Sequence, residues 1–309
     1  MSSSPERFSG VLSPVVTPFN DDLSVDPDRL ISQCQWLLSQ NVGLAVFGTN
    51  SEANSMSVGE KILLLDRLIE GGIDPGRMMP GTGCCALTDT VQLTSHAVKL
   101  GCAGTLMLPP FYYKDITDEG LFRSYAEIIE RVGSNALRIY LYHIPPIAQV
   151  GISLDLIERL IKAYPENVVG VKDSSGDWGN TESMLQRGWD DFRVFCGSES
   201  FLLQTMQQGG AGCISATANI NPAAIHELFV EWPSENADSL QDGLNTIRDL
   251  TQSYPMIPAL KSVVAEFGGC QEWGIVRPPL VTLAEPERKA LVAQLKQAGF
   301  SMPGLPALL

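Results

Sequence analysis

An apolar run followed by a helix-period segment recurs eight times in the first three quarters of the chain. This repetition limits the fold more than any other feature. The runs read as strands at residues 11–18, 44–49, 78–83, 105–110, 138–144, 168–172, 192–197 and 212–216. Helix patterns follow each of them: from residue 27, capped by Asp26, then at 57–69, 88–100, 118–131, 153–163, 181–186, 199–208 and 222–232. Strands alternating with helices specify a parallel sheet with crossover connections. Eight such units fit an α/β (β/α)8 TIM barrel. A doubly wound open sheet is the rival, but no G-x-G-x-x-G follows the first strand and none of the eight runs reads as an antiparallel edge. From about Ser234 the strand pattern stops, and helices are expected at 240–253, 257–266 and 286–298. Residues 1–233 are therefore expected to form the barrel and residues 234–309 a C-terminal helical extension.

One strand carries the most specific chemistry. Val168-Val169-Gly170-Val171 runs into Lys172 and then the polar turn Asp173-Ser174-Ser175-Gly176. A run with no polar alternation reads as a strand buried on both faces. An amine delivered from such a strand is harder to charge than one in water, and a neutral amine can attack a ketone to form a Schiff base. The plainer alternative is a strand-end lysine whose ammonium reaches water or a carboxylate.

Composition narrows the function classes. The 309 residues include 35 acidic and 21 basic side chains, a net charge of −14, with no Lys/Arg-rich run. That balance argues against nucleic acid or an anionic membrane as a partner. No apolar run approaches the roughly 20 residues needed to span a bilayer. Met1–Arg7 lacks the apolar segment of a secretory signal, so a cytoplasmic location is expected. Seven scattered cysteines, among them Cys102, Cys196 and Cys213, read as reduced thiols. With no CxxC and only three histidines, no metal site is expected, and no cofactor is called for.

In a barrel of this type the active site lies at the C-terminal ends of the strands. Thr17, Gly48-Thr49-Asn50-Ser51-Glu52, Tyr112-Tyr113, Tyr142-His143, Lys172-Asp173, Ser198-Glu199 and Ser215 would converge there. The Gly48–Glu52 loop offers amides and hydroxyls suited to a carboxylate, though it also reads as an ordinary strand–helix loop capped by Ser51. Tyr142 can move protons, though it also reads as an interior tyrosine with a satisfied hydroxyl.

Together these segments resemble the N-acetylneuraminate lyase/dihydrodipicolinate synthase family of class I aldolases and lyases. The resemblance runs from Ser13-Pro14-Val15-Val16-Thr17-Pro18-Phe19 to Pro278-Pro279-Leu280. The family's G-[ST]-T-G-E loop is met by Gly48–Glu52, and its Y-N-x-P strand end by Tyr142-His143-Ile144-Pro145. Its G-[IV]-K-[DE] strand is met by Gly170-Val171-Lys172-Asp173, its G-x-[ED] turn by Gly197-Ser198-Glu199, and its G-x-I-S-x-x-[AS]-N strand by Gly212–Asn219. The resemblance implies that Lys172 forms an imine with pyruvate or a pyruvate-derived 2-oxo acid, and that Tyr142 relays protons. It implies that Thr49 and Asn50 bind the oxo-acid carboxylate. Thr49 would also link Tyr142 to a further tyrosine, Tyr112 or Tyr113, which in several members comes from a neighbouring subunit. Gly197 and Ile214 would line the pyruvate pocket. Beside that resemblance, His143, Ser198, Glu199 and Ser215 offer hydrogen bonds suited to the hydroxyls of a second substrate, with His143 and Ser198 expected among the substrate-binding residues. The partners implied are a small 2-oxo acid, an aldehyde, and other copies of the chain in a homotetramer.

The chain departs from the family pattern in one informative place. Dihydrodipicolinate synthases usually carry an arginine two residues beyond the Y-N-x-P proline, where it binds the second substrate's carboxylate. Here Ile147 occupies that position, and no arginine follows before Arg159. An apolar side chain cannot clamp a carboxylate, so a neutral or hydroxylated aldehyde is expected in place of aspartate semialdehyde. The alternatives that remain are dehydration of a 2-keto-3-deoxy sugar acid, true dihydrodipicolinate synthesis, and a non-catalytic protein that binds a 2-oxo acid.

Overall fold

The computed structural model describes residues 7–306. Among them seven strands form one parallel sheet: β1 (Gly10–Ser13), β2 (Gly43–Leu44), β3 (Thr105–Met107), β4 (Ile139–His143), β5 (Val168–Asp173), β6 (Arg193–Cys196) and β7 (Gly212–Ile214). Their order is β2-β1-β7-β6-β5-β4-β3. The expected third strand, residues 78–83, is not a continuous strand. It fills the gap between β2 and β3 through isolated bridges, Met78 to Leu44 and Gly81 to Leu106. Met79 N donates to Leu44 O at 2.8 Å, Gly81 N to Val46 O at 2.7 Å and Leu106 N to Pro80 O at 2.9 Å. Pro80 has no N–H to give, which thins the ladder here. A Cβ on Gly81 would lie 2.1 Å from Phe47 O, so the close approach needs glycine. This segment joins the two ends of the sheet and completes the barrel.

The outer helices are α1 (Pro27–Ser39), α2 (Val58–Glu70), α3 (Leu87–Leu100), α4 (Asp118–Val132), α5 (Pro145–Ala148), α6 (Leu154–Ala163), α7 (Trp178–Gln186), α8 (Leu202–Gln207) and α9 (Pro222–Glu231). Most starts follow from local capping. Asp26, Ser57, Thr117 and Ser153 each accept a hydrogen bond from the amide three residues on. Helix α7 begins three residues before the expected start because Asp177 caps it through Gly179 N at 2.9 Å.

The core lies in layers. Leu12, Ala45, Met79, Leu106, Tyr140, Val169, Phe195 and Ile214 fill the barrel interior. The outer layers lie between sheet and helices. The last three helices, α10 (Ala237–Gln252), α11 (Met256–Gly268) and α12 (Glu285–Gln297), pack over the barrel. Leu244, Leu260, Trp273 and Leu291 share one apolar cluster with Val15 and Leu37, and this places α10 and α11 beside the barrel mouth. All seven cysteines are free. No helix of the described residues is long and apolar enough to cross a membrane.

Candidate active site

Strand β5 is buried along its whole length. Neighbouring β4 pairs with it in register, Tyr142 opposite Lys172 and His143 opposite Asp173. Side chains alternate along a strand, so one pair faces the barrel interior and the other the helix layer. Lys172 and Tyr142 form the inner pair. Both are 3% exposed, and the lysine Nζ lies 4.2 Å from the centroid of the Tyr142 ring. The Tyr142 hydroxyl is 3.1 Å from Thr49 Oγ1.

Asp173 and His143 face outward. Asp173 accepts from Ser175 N at 2.9 Å and from Thr181 Oγ1 at 2.6 Å, so the carboxylate next to Lys172 in sequence is turned away from it. His143 Nδ1 accepts from Ile152 N at 3.0 Å. Burial lowers its pKa, against the opposing pull of Asp173. It thus holds the segment before α6 and is not brought to Lys172.

The Gly48–Glu52 loop is a single 3-10 turn over Thr49–Ser51. Thr17 Oγ1 donates to Ser51 O at 2.7 Å and Gly48 N donates to Ser51 Oγ at 3.2 Å. The amides of Thr49 and Asn50 have no acceptor among the described residues, as expected at the start of a helical turn. Glu52 closes the turn in the left-handed region, φ 56°. Its buried carboxylate takes Lys261 Nζ at 2.7 Å and Arg277 N at 2.9 Å, tying the loop to α11 and the segment beyond it. Burial pushes Lys261 down to about 8 against the pull of Glu52.

Lys172, Tyr142, Thr49, Asn50, Gly197 and Ser198 line one cavity of about 250 Å³ at the C-terminal ends of the strands. A Cβ at Gly197 would lie 2.1 Å from Ser174 Oγ and 2.6 Å from Asp173 O, so only glycine fits there. Ile214 is fully buried deeper in the barrel and does not line this space. Tyr112 and Tyr113 are 74% and 73% exposed on the loop after β3. Their rings meet edge to face, 5.3 Å apart, and neither reaches the cavity within this chain. A larger groove of about 520 Å³ outside the barrel, between α9, α10 and the end of α12, is lined by no lysine, arginine or histidine. Among the described residues no three His, Cys, Asp or Glu side chains cluster as metal ligands.

Two lining residues come from outside the eight expected units: Arg248 of α10 and Met256 of α11. The sequence holds a signal for Arg248. It is the one basic residue of α10, four positions after buried Leu244 and three before buried Thr251, hence on the buried face.

The (β/α)8 fold with its cavity at the strand ends is, by the relatives it matches, that of an enzyme of the lyase class. Residues 7–298 match the dihydrodipicolinate synthetase family, and the chain belongs to it. An uncharacterized DapA-like lyase of Chloroflexus aurantiacus is 32% identical over 287 residues, covering 92% of this chain and 95% of the relative. A 4-hydroxy-tetrahydrodipicolinate synthase of Methanococcoides burtonii is 32% identical, covering 94% and 99%. Dihydrodipicolinate synthase from Agrobacterium tumefaciens superposes with a TM-score of 0.87 at 30% identity, covering 94% and 99%.

Proposed function

We propose that Lys172 forms an imine with pyruvate or a pyruvate-derived 2-oxo acid, which the enzyme then joins to, or releases from, an aldehyde. The observation that carries this reading is a buried amine at a strand end, free of any carboxylate partner among the described residues, with a phenol across the same cavity. Nζ attacks C2, an N–C bond forms, and the C2 oxygen leaves as water. Tyr142, hydrogen-bonded to Thr49, hands protons to and from the departing oxygen. The free amides of Thr49 and Asn50, with their side chains, hold the carboxylate. Ser198 and Gly197 bound the space beside C3.

Tyr112 and Tyr113 enter this reading only across a subunit contact. Two adjacent exposed tyrosines near the mouth suit insertion into a neighbouring copy. A cytoplasmic homo-oligomer, a tetramer by resemblance, fits them.

Exchange of the pyruvate methyl hydrogens with deuterium tests the imine without a second substrate. Wild-type enzyme is expected to catalyse it and Lys172→Ala to lose it. Exchange that survives in Lys172→Ala overturns the reading.

A further inference from the structure

We infer that Arg248 is the specificity residue of the cavity and that it binds a carboxylate at the end of the substrate remote from the imine. This rests on the imine reading above.

Beside the ends of β6 and β7 the cavity is lined by Arg248, an arginine from a helix beyond the barrel strands. Its side chain is 15% exposed. Two of its three nitrogens are held by the protein: Nη1 donates to Glu199 Oε2 at 3.1 Å and to Ser215 Oγ at 3.2 Å, and Nε donates to Gln252 Oε1 at 3.2 Å. Nη2 has no protein acceptor among the described residues. Arg248 therefore offers oriented donors to whatever fills the cavity.

Glu199 has nothing left to offer a ligand. It is 1% exposed, and beyond Arg248 it accepts from the hydroxyls of Ser215 and Thr217. Gln241 Nε2 holds its backbone carbonyl at 3.0 Å. Ser198 Oγ accepts from Ser200 N at 3.2 Å, which leaves its O–H free to donate. This wall presents donors, and an acceptor-only group matches it better than a hydroxyl, which must also give a hydrogen bond. A carboxylate meets that description and can take a charge-assisted hydrogen bond from the free Nη2 of Arg248. There is room for it: 250 Å³ is about eight waters' share of liquid volume, more than pyruvate alone fills. The cation that Ile147 does not supply comes from another side of the cavity. Ile147 itself stands at the rim, 62% exposed.

Borohydride trapping of 2-oxo acids on Lys172, followed by intact mass, tests this without turnover. The probes are two chain-matched pairs, 2-oxoglutarate with 2-oxopentanoate and 2-oxoadipate with 2-oxohexanoate. The wild type is expected to reach half-saturation with the dicarboxylate at about tenfold lower concentration or better in at least one pair, the worth of a charge-assisted hydrogen bond. Arg248→Met is expected to erase that ratio and Arg248→Lys to keep part of it. Equal or reversed ratios in the wild type overturn the inference, as does a ratio that survives in Arg248→Met. Should Arg248→Met fail to fold, with Glu199 left unpaired, the wild-type ratios and Arg248→Lys decide. Trapping of pyruvate but of none of the four longer acids also overturns it. Failure to trap pyruvate itself on Lys172 strikes instead at the imine reading.

Discussion

Lys172 and Lys261 are both buried, yet they meet opposite surroundings. Lys261, fully buried on α11, sits 2.7 Å from the Glu52 carboxylate and packs its ammonium over the Phe19 ring at 4.4 Å. Lys172, at the end of β5, has the Tyr142 ring at 4.2 Å and no ion pair among the described residues. Its sequence neighbour Asp173 is occupied on the other face of the sheet. The Lys172 amine therefore stands unpaired beside an open cavity, where a carbonyl carbon can reach it. Lys61 shows that the missing carboxylate is not enough. It is 4% exposed and, among the described residues, has only Cys84 Sγ, 3.8 Å away, as a side-chain partner, but it lies on α2 and outside the cavity. Position at a strand end opposite a phenol separates Lys172 from both.

The sharpest way to break this contrast is to disrupt the pairing at each site. Tyr142→Phe removes one hydroxyl and should lower kcat by about 10²–10⁴, the usual worth of a positioned acid or base, with thermal stability little changed. Steady-state kinetics beside a melting curve check this, and an unchanged kcat would remove Tyr142 from proton transfer. Lys261→Met leaves Glu52 buried without its cation and should cost about 3–5 kcal/mol of stability, read as the urea midpoint. Lys261→Met with Glu52→Gln should recover part of that loss, and no recovery would contradict the pairing.

Smaller effects refine the picture. Thr49→Val removes the Tyr142 partner and should lower kcat by up to about tenfold, the worth of one neutral hydrogen bond. A larger loss in KM than in kcat would assign Thr49 to carboxylate binding alone. The smallest effect lies at the far end of the Glu52 network. Glu60 is held down to about 2 by its hydrogen bonds with the Arg277 guanidinium, against partial burial and with help from Ser57. A depressed carboxyl contributes stability above its ordinary value of 4.5 that is lost as pH falls from there toward 2. Glu60→Gln should therefore be less stable than wild type at pH 7, and the gap should close over that window. A gap independent of pH would point to packing.

What the sequence revealed is what neighbouring residues encode. Lys172, Tyr142 and the Gly48–Glu52 loop lie at strand ends, and the strand-to-turn change marks each of them. The period-2 rule, applied strictly, also says that Tyr142 and His143 cannot share a face, and the structure turns His143 outward. The thinned third strand reflects Pro80, whose missing N–H is visible in sequence, although its effect on the ladder depends on the neighbouring strands. Arg248 was hidden for another reason. Its partner Glu199 is 49 positions away, and only the packing of α10 over the mouth brings the two together. Its place on the buried helix face was the one local sign.

Of the buried lysines, Lys172 alone is proposed to carry the substrate. Borohydride reduction in the presence of pyruvate, followed by peptide mass mapping, tests this most directly. One reduced pyruvyl group is expected, on the peptide containing Lys172, with Lys61 and Lys261 unmodified. An adduct on either of those lysines, or none at all with a turned-over substrate, would contradict it.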